Sequence, residues 1–285
     1  MESRYVDRDD GEFPERLKLV KPPIKGLWVK GEYELINSQK IVAIVGSRKM
    51  SLYGKRVLAE IVPKLVEMGY VTISGFMYGI DIEMHRLTLE NEGKTIGVFG
   101  WGIDAPIIPE NQNLYHKAIE SGSLFLSELE PNRRGELWTF PLRNRIVVGL
   151  SDMVIVIEAG MKSGSLSSAN WARKLGKPVY AIPGSIFSTV SLGCNWLLEQ
   201  NLAKPMTLGF FTDNSYSEKA RMNRKKGKMN EGESTLVTLL TLEGPLSLNE
   251  LSRKLARTAG EVGADLTSLL LKGEVSEERG MWSSR

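Results

Sequence analysis

One pattern constrains this chain more than any other: short, fully apolar runs that end in glycine-bearing loops and alternate with helical stretches. Ile41-Val-Ala-Ile-Val45 runs straight into Gly46-Ser47-Arg48. Tyr70–Ile73 ends in Ser74-Gly75, and Thr95–Phe99 ends in Gly100-Trp-Gly102. Leu124–Leu126 ends in Ser127-Glu128, Met153–Ile157 in Glu158-Ala-Gly160, and Val179–Ile182 in Pro183-Gly184. Runs of this kind are strands covered on both faces, as in parallel sheets. Between them the spacing predicts helices near Tyr53–Met68, Gly79–Asn91, Gln112–Glu120 and Ser165–Leu175. Strand and helix in alternation imply an α/β fold, a doubly wound and mostly parallel sheet with right-handed crossovers. Pro63 interrupts the first helix and is expected to kink or split it.

The rest of the chain divides by composition. Residues 1–40 hold Phe13-Pro14, Pro22-Pro23 and Trp28-Val-Lys-Gly31, and are expected to form an extended lead-in packed on the body, residues 41–208. Residues 209–232 contain Arg221, Arg224, Lys225, Lys226 and Lys228 without a core pattern, which reads as a basic linker. From residue 233 the leucine spacing gives three short helices, and Gly273–Trp282 resembles a hairpin. That order describes a small winged-helix-like domain over 233–285.

Several chemistries are excluded early. Cys194 is the lone cysteine, so no internal disulfide forms, and with only His85 and His116 a Cys/His zinc cluster is ruled out. The first residues lack the apolar core of a signal peptide, and Ile146–Ile157, broken by Ser151-Asp152, is too short to span a bilayer. A soluble, cytoplasmic protein without membrane association is expected. The formal charge of +3, with twenty-eight glycines, does not announce a nucleic-acid binder.

In an open α/β sheet ligands bind beyond the carboxyl ends of the strands. Four glycine loops fall there: Gly46-Ser47-Arg48, Ser74-Gly75 with Gly79-Ile-Asp81, Gly100-Trp-Gly-Ile-Asp104, and Ser163-Gly164-Ser-Leu166. Each alone is an ordinary turn; together on one sheet edge they favour an anion site built from backbone N–H groups and helix N-termini. Neither a dinucleotide fingerprint nor a Walker A loop is present, which disfavours a dinucleotide oxidoreductase and a P-loop NTPase. Arg48 offers a planar fork for phosphate, or else an ion pair at a helix start. Phe140-Pro-Leu-Arg143-Asn144-Arg145 is expected to project two guanidinium groups toward the same edge. Phe140 beside them is either core or a stacking face for a base. His85, four residues from Asp81, reads as a helix-internal contact, and Cys194 as a small buried residue.

Taken in order, Val42-Ala-Ile-Val-Gly-Ser-Arg48, Ser74-Gly75…Gly79-Ile-Asp81 with His85, and Gly100-Trp-Gly-Ile-Asp104 resemble the DprA/Smf family, as do Phe140–Arg145, Ser163-Gly-Ser-Leu166 and Gly193-Cys-Asn195. The likeness covers about residues 13–205 and is looser in the tail. It implies a Rossmann-like core that binds single-stranded DNA without catalysis or a cofactor, forms a homodimer, protects incoming strands in natural transformation and loads the recombinase RecA. Carried over by position, the resemblance makes Arg48 a principal phosphate contact. Gly46, Ser47, Ser74, Gly75, Gly79, Gly100, Ser163 and Gly164 would line the strand, with Phe140, Arg143, Asn144 and Arg145 as one wall. Three departures stand out. Met77-Tyr78 occupy a stretch that is usually small, and Arg133-Arg134-Gly-Glu-Leu-Trp-Thr139 lacks the lysine that usually precedes the phenylalanine. The N-terminal helical extension of some members is also expected to be absent.

Two other readings compete. A phosphoribohydrolase-like enzyme would show a Pro-Gly-Gly-x-Gly-Thr loop where Ser163-Gly-Ser-Leu166 stands. A winged-helix regulator would need cations on its recognition helix, yet Val262–Leu271 is followed only by Lys272 and by an acidic wing of Glu274, Glu277 and Glu278.

Overall fold

The computed structural model describes residues 2–213, 230–271, 274–278 and 280–284. The cluster of arginines and lysines between 221 and 228, and Lys272, lie outside the described residues. Two compact units divide near residue 214.

In the first unit the apolar runs form the expected strands: β3 (Ile41–Val45), β4 (Val71–Ser74), β5 (Thr95–Val98), β6 (Leu124–Ser127), β7 (Met153–Val156) and β8 (Val179–Ala181). They pair in parallel in the order β6-β5-β4-β3-β7-β8, with β9 (Lys204–Pro205) beyond β8. The chain therefore builds outward from β3 to β6, then crosses back and builds the other way from β7. Its topological switch lies between β3 and β7, where the flanking loops diverge and leave a crevice.

Helices α2 (Leu52–Glu67), α3 (Ile80–Glu90), α4 (Gln112–Glu120), α5 (Thr139–Leu150) and α6 (Gly164–Lys174) cover the faces. One face buries Ile41, Ala43, Ile146, Val148, Val154 and their neighbours, and the other buries Val42, Ile44, Leu58, Val62 and Ile155. Alternation along β3 explains the continuous apolar run, since successive side chains enter opposite cores. Pro63 does not split α2: one helix carries it, and fully buried Val62 and Leu65 on either side offset the lost donor locally.

The N-terminal segment is more than a lead-in. β1 (Arg4–Asp7) and β2 (Gly26–Gly31) are strands of the same sheet, and β2 pairs antiparallel with β6 through Trp28↔Ser127 and Val29↔Leu126. The prolines fall outside these two strands, so they cost no ladder bonds. A short helix α1 (Glu15–Lys18) seats Leu17 over Gly149 of α5. The body also runs past residue 208. After α7 (Leu192–Glu199) and β9, a helix α8 (Gly209–Asp213) buries Phe211 with Ile182 and Met206, so the start of the expected linker is core.

The second unit has helices Glu231–Glu243, Leu248–Leu255 and Ala259–Leu271. Strand Leu246–Ser247 and the pair Val275–Glu278 and Met281–Ser284 form a three-stranded antiparallel sheet. Capping boxes at Asn230/Glu233 and Ser247/Glu250 start two of the helices. Leu236, Leu240, Leu251, Val262, Leu266, Leu269 and Val275 make its core. Among the described residues no helix is long and apolar enough to cross a membrane.

Candidate functional site

A concavity of about 730 Å³ opens at the switch point. Its walls are the loop after β3, the loop after β4, the first turns of α5 and the loop that enters α6. Gly46, Ser47, Arg48, Ser74, Gly75, Phe140, Arg143, Asn144, Ser163 and Gly164 all line it, so most of the residues singled out in the sequence meet in one place.

Arg48 sits exposed on the lip with its guanidinium 5.3 Å from the centre of the Phe140 ring. Among the described residues it has no carboxylate within ion-pair distance, so the ion-pair alternative for Arg48 is not what forms. Phe140 is half-buried: one side of it joins the aromatic cluster through Trp101, 6.3 Å away, and it also lines the cleft. Phe140 is thus partly core and partly open to the cleft. Thr139 fixes the start of α5 by donating to the Gly100 carbonyl at 2.6 Å. Opposite, Ser163 caps α6 by accepting from the Ser165 amide at 3.2 Å, and exposed Gly164 opens the helix with an N–H that has no intrahelical acceptor. Asn144 ties the two walls together, donating to the Gly164 carbonyl at 3.3 Å.

The floor behaves differently. Arg143 is only 6% exposed and donates to the Val98 carbonyl at the end of β5. Burial pushes its pKa down to about 10, partly countered by the Asp81 charge, so it stays protonated at neutral pH. Asp81 accepts from the Gly75 amide at 3.1 Å. Burial raises the Asp81 pKa above the usual carboxylate value, and Arg143 pulls it back. The Gly75 amide is therefore spent inside the protein and is not offered to a ligand. Gly75 serves as clearance instead, because a Cβ there would collide with the Arg143 guanidinium.

Three residues lie elsewhere. Gly79 adopts φ +76° at the start of α3, and a Cβ on it would strike the Ser47 carbonyl, so it lets the loops after β3 and β4 close up. Gly100 is buried beneath Phe140 and supports it. Arg145, expected beside Arg143, is 1% exposed and turned away: it donates to the Pro22 carbonyl at 3.2 Å and pairs with Glu128 at 2.6 Å. Residues two apart on a helix stand about 200° apart around its axis, so Arg143 and Arg145 could not share one face.

Lys49 and Lys162 also line the cleft, both exposed, and the sequence reading did not single them out. Their positions in the loops after β3 and β7 were the available signal. Lining cations Arg48, Lys49, Arg143 and Lys162 face a single carboxylate, Asp81, so the cleft is strongly positive in a chain of formal charge +3. Met77 lines the cleft beside Gly75, whereas Tyr78 stands exposed outside it. His85 is fully buried, shares a 2.6 Å hydrogen bond with the Thr95 hydroxyl, and has its pKa driven down to about 3 by burial. It is a neutral structural residue. Cys194 is buried too, and burial pushes its thiol up to about 12, far from a nucleophile's range.

Residues 4–211 match the family model of DNA recombination-mediator protein A. The DNA processing protein DprA of Bacillus subtilis is 35% identical over 189 residues, which cover 66% of this chain and 63% of that relative. The chain thus matches just under two thirds of that relative's length. Among solved structures, DNA processing protein A of Streptococcus pneumoniae superposes with a TM-score of 0.68 at 36% identity, covering 74% of each chain. DNA processing protein A of Helicobacter pylori, described for its single-stranded DNA binding mode, gives a TM-score of 0.66 at 30% identity, over 74% of this chain and 95% of that one. With its strand order, its switch-point cleft and this match across most of its length, the chain belongs to the DNA recombination-mediator protein A family, the DprA/Smf proteins.

Proposed function

We propose that the switch-point cleft binds single-stranded DNA without catalysis, and that the protein shields such strands and hands them to RecA. The observation that carries this reading is Arg48: an exposed guanidinium on the cleft lip, without a carboxylate partner among the described residues, stacked over a partly exposed aromatic ring. A phosphate would take the guanidinium, and a base next to it would lie against Phe140. Lys49 and Lys162 add charge to either side, and the first amide of α6 adds a donor without a side chain. A single strand suits this geometry because its bases can be splayed into a cleft, whereas a duplex hides them. Three further expectations go with it: a homodimer, a cytoplasmic location, and a winged-helix role for the C-terminal unit, whose helix–strand–helix–helix–strand–strand order supports that description.

The test is fluorescence anisotropy with single-stranded and duplex oligonucleotides over a salt series, with nucleotide-hydrolysis assays alongside. Salt-sensitive binding of single strands, weakened in Arg48→Glu, is expected. Duplex preference, nucleotide turnover, or unaltered binding by Arg48→Glu would overturn the reading. RecA nucleation on the pre-bound strand, and light scattering for the dimer, check the remaining parts.

A further inference from the structure

The segment just before α5 carries two large apolar side chains in water. Leu137 is 91% exposed and Trp138 50%, and Leu137 lines the cleft. Trp138 occupies the N-cap of α5 and makes no side-chain cap bond. That position favours Ser, Thr, Asp or Asn, so an indole there gives up local helix stability. It is nonetheless held firmly. The indole N–H donates to Glu136 Oε2 at 3.0 Å, Glu136 pairs with Arg133 at 3.0 Å, and the Arg133 guanidinium lies 5.5 Å from the ring centre. The pairing neutralises both charges, so what this cluster presents is an oriented aromatic surface and not a phosphate site.

We propose that Trp138 is a stacking platform for one unpaired base just outside the cleft, set by Arg133 and Glu136, and that it lengthens the bound strand beyond the base at Phe140. The proposal rests on the cleft's binding single-stranded DNA. Thr139 alone separates Trp138 from Phe140, so the two rings stand on different sides of the first turn of α5, and exposed Leu137, next to Trp138, lines the cleft. A strand that leaves the cleft over Leu137 meets the indole next. Aromatic stacking accepts any base and depends little on salt, unlike the contacts of Arg48. Trp138 would therefore set how many nucleotides the protein covers, and Arg48 the electrostatic part of the affinity.

The experiment compares the full chain with Trp138→Ala, Trp138→Phe and Arg48→Glu by anisotropy, on oligonucleotides of increasing length and across a salt series. Trp138→Ala is expected to weaken binding roughly tenfold once the strand is long enough to reach the lip, with no change in the salt slope. Trp138→Phe, which keeps a ring, should restore most of the affinity. An abasic nucleotide opposite the lip should weaken the unaltered chain and leave Trp138→Ala unaffected. Near-identical affinity of Trp138→Ala at every length, with Arg48→Glu impaired, would overturn the platform, leave the cleft reading intact and turn attention to the lip as a protein-docking surface. If the unaltered chain fails to bind single strands, the cleft reading falls and the platform falls with it.

Discussion

The lip and the floor of the cleft use the same residue type for opposite ends. On the lip, Arg48 is exposed and has no carboxylate partner among the described residues, and its guanidinium lies over Phe140. On the floor, Arg143 is buried, donates to the Val98 carbonyl and lies within the field of the Asp81 carboxylate. Arg145 carries the contrast further, since each of its three guanidinium nitrogens donates inside the protein, to Pro22, Leu142 and Glu128. Arginine count is therefore a poor guide to nucleic-acid binding. What decides is whether a carboxylate or carbonyl has already taken the guanidinium.

Substitutions can break this division of labour. The largest effect is expected at Arg145→Ala, which leaves Glu128 without its buried partner and should cost about 3–5 kcal/mol in urea unfolding. The folded fraction should bind oligonucleotide normally. Lost binding at unchanged stability would place Arg145 in the interface after all. Next comes Gly79→Ala, where φ +76° and the Ser47 carbonyl both oppose a Cβ. A loss of about 2 kcal/mol in the same assay is expected, accompanied by weaker binding as the loop after β3 shifts. Arg48→Ala should leave stability within about 0.5 kcal/mol, weaken binding and flatten the logarithmic salt dependence by about one unit. An unchanged salt slope would show that no phosphate sits there.

The remaining test concerns the acid response of His85. Burial holds its folded pKa at about 3, below the ordinary imidazole value of about 6.5, so the unfolded chain takes up a proton that the folded one refuses. Stability contributed by neutral His85 is complete above about pH 6.5 and is lost as the pH falls toward 3. Thermal melts of His85→Gln should show a flatter profile across that window than the unaltered chain. Parallel profiles would remove His85 from the acid response.

How much of this was legible depended on whether the signal was local. Ile41–Val45 declares a buried parallel strand because both faces are apolar, and the loops that follow such strands fall on one edge by topology alone. β1 and β2 escaped because β2 gains its place from β6, nearly a hundred residues away, and β1 only by pairing with β2, and because prolines nearby suggest irregular chain. α7 begins Leu192-Gly-Cys-Asn, a poor helical start whose stability comes from burying Cys194 and Leu197. α8 is a short helix kept in place by Phe211. Within the site, Arg48 was legible as a strand-end cation. The roles of Gly75, Gly79 and Gly100 were not, because each is defined by which side chain or carbonyl stands against it.

The pairing of β2 with β6 has a consequence for how the chain is made. β2 leaves the ribosome first, but its partner Leu124–Ser127 is synthesised nearly a hundred residues later. At roughly 5–20 residues per second the nascent segment waits on the order of 5–20 s for an edge to join. During that interval Leu27 and Val29, both buried in the finished protein, have no sheet to cover them. Charges at Arg4, Asp7, Arg8, Asp9 and Asp10, and the prolines at 14, 22 and 23, discourage that segment from pairing with a neighbouring nascent chain. The prolines that make the beginning of the sequence look irregular act, with those charges, against such pairing.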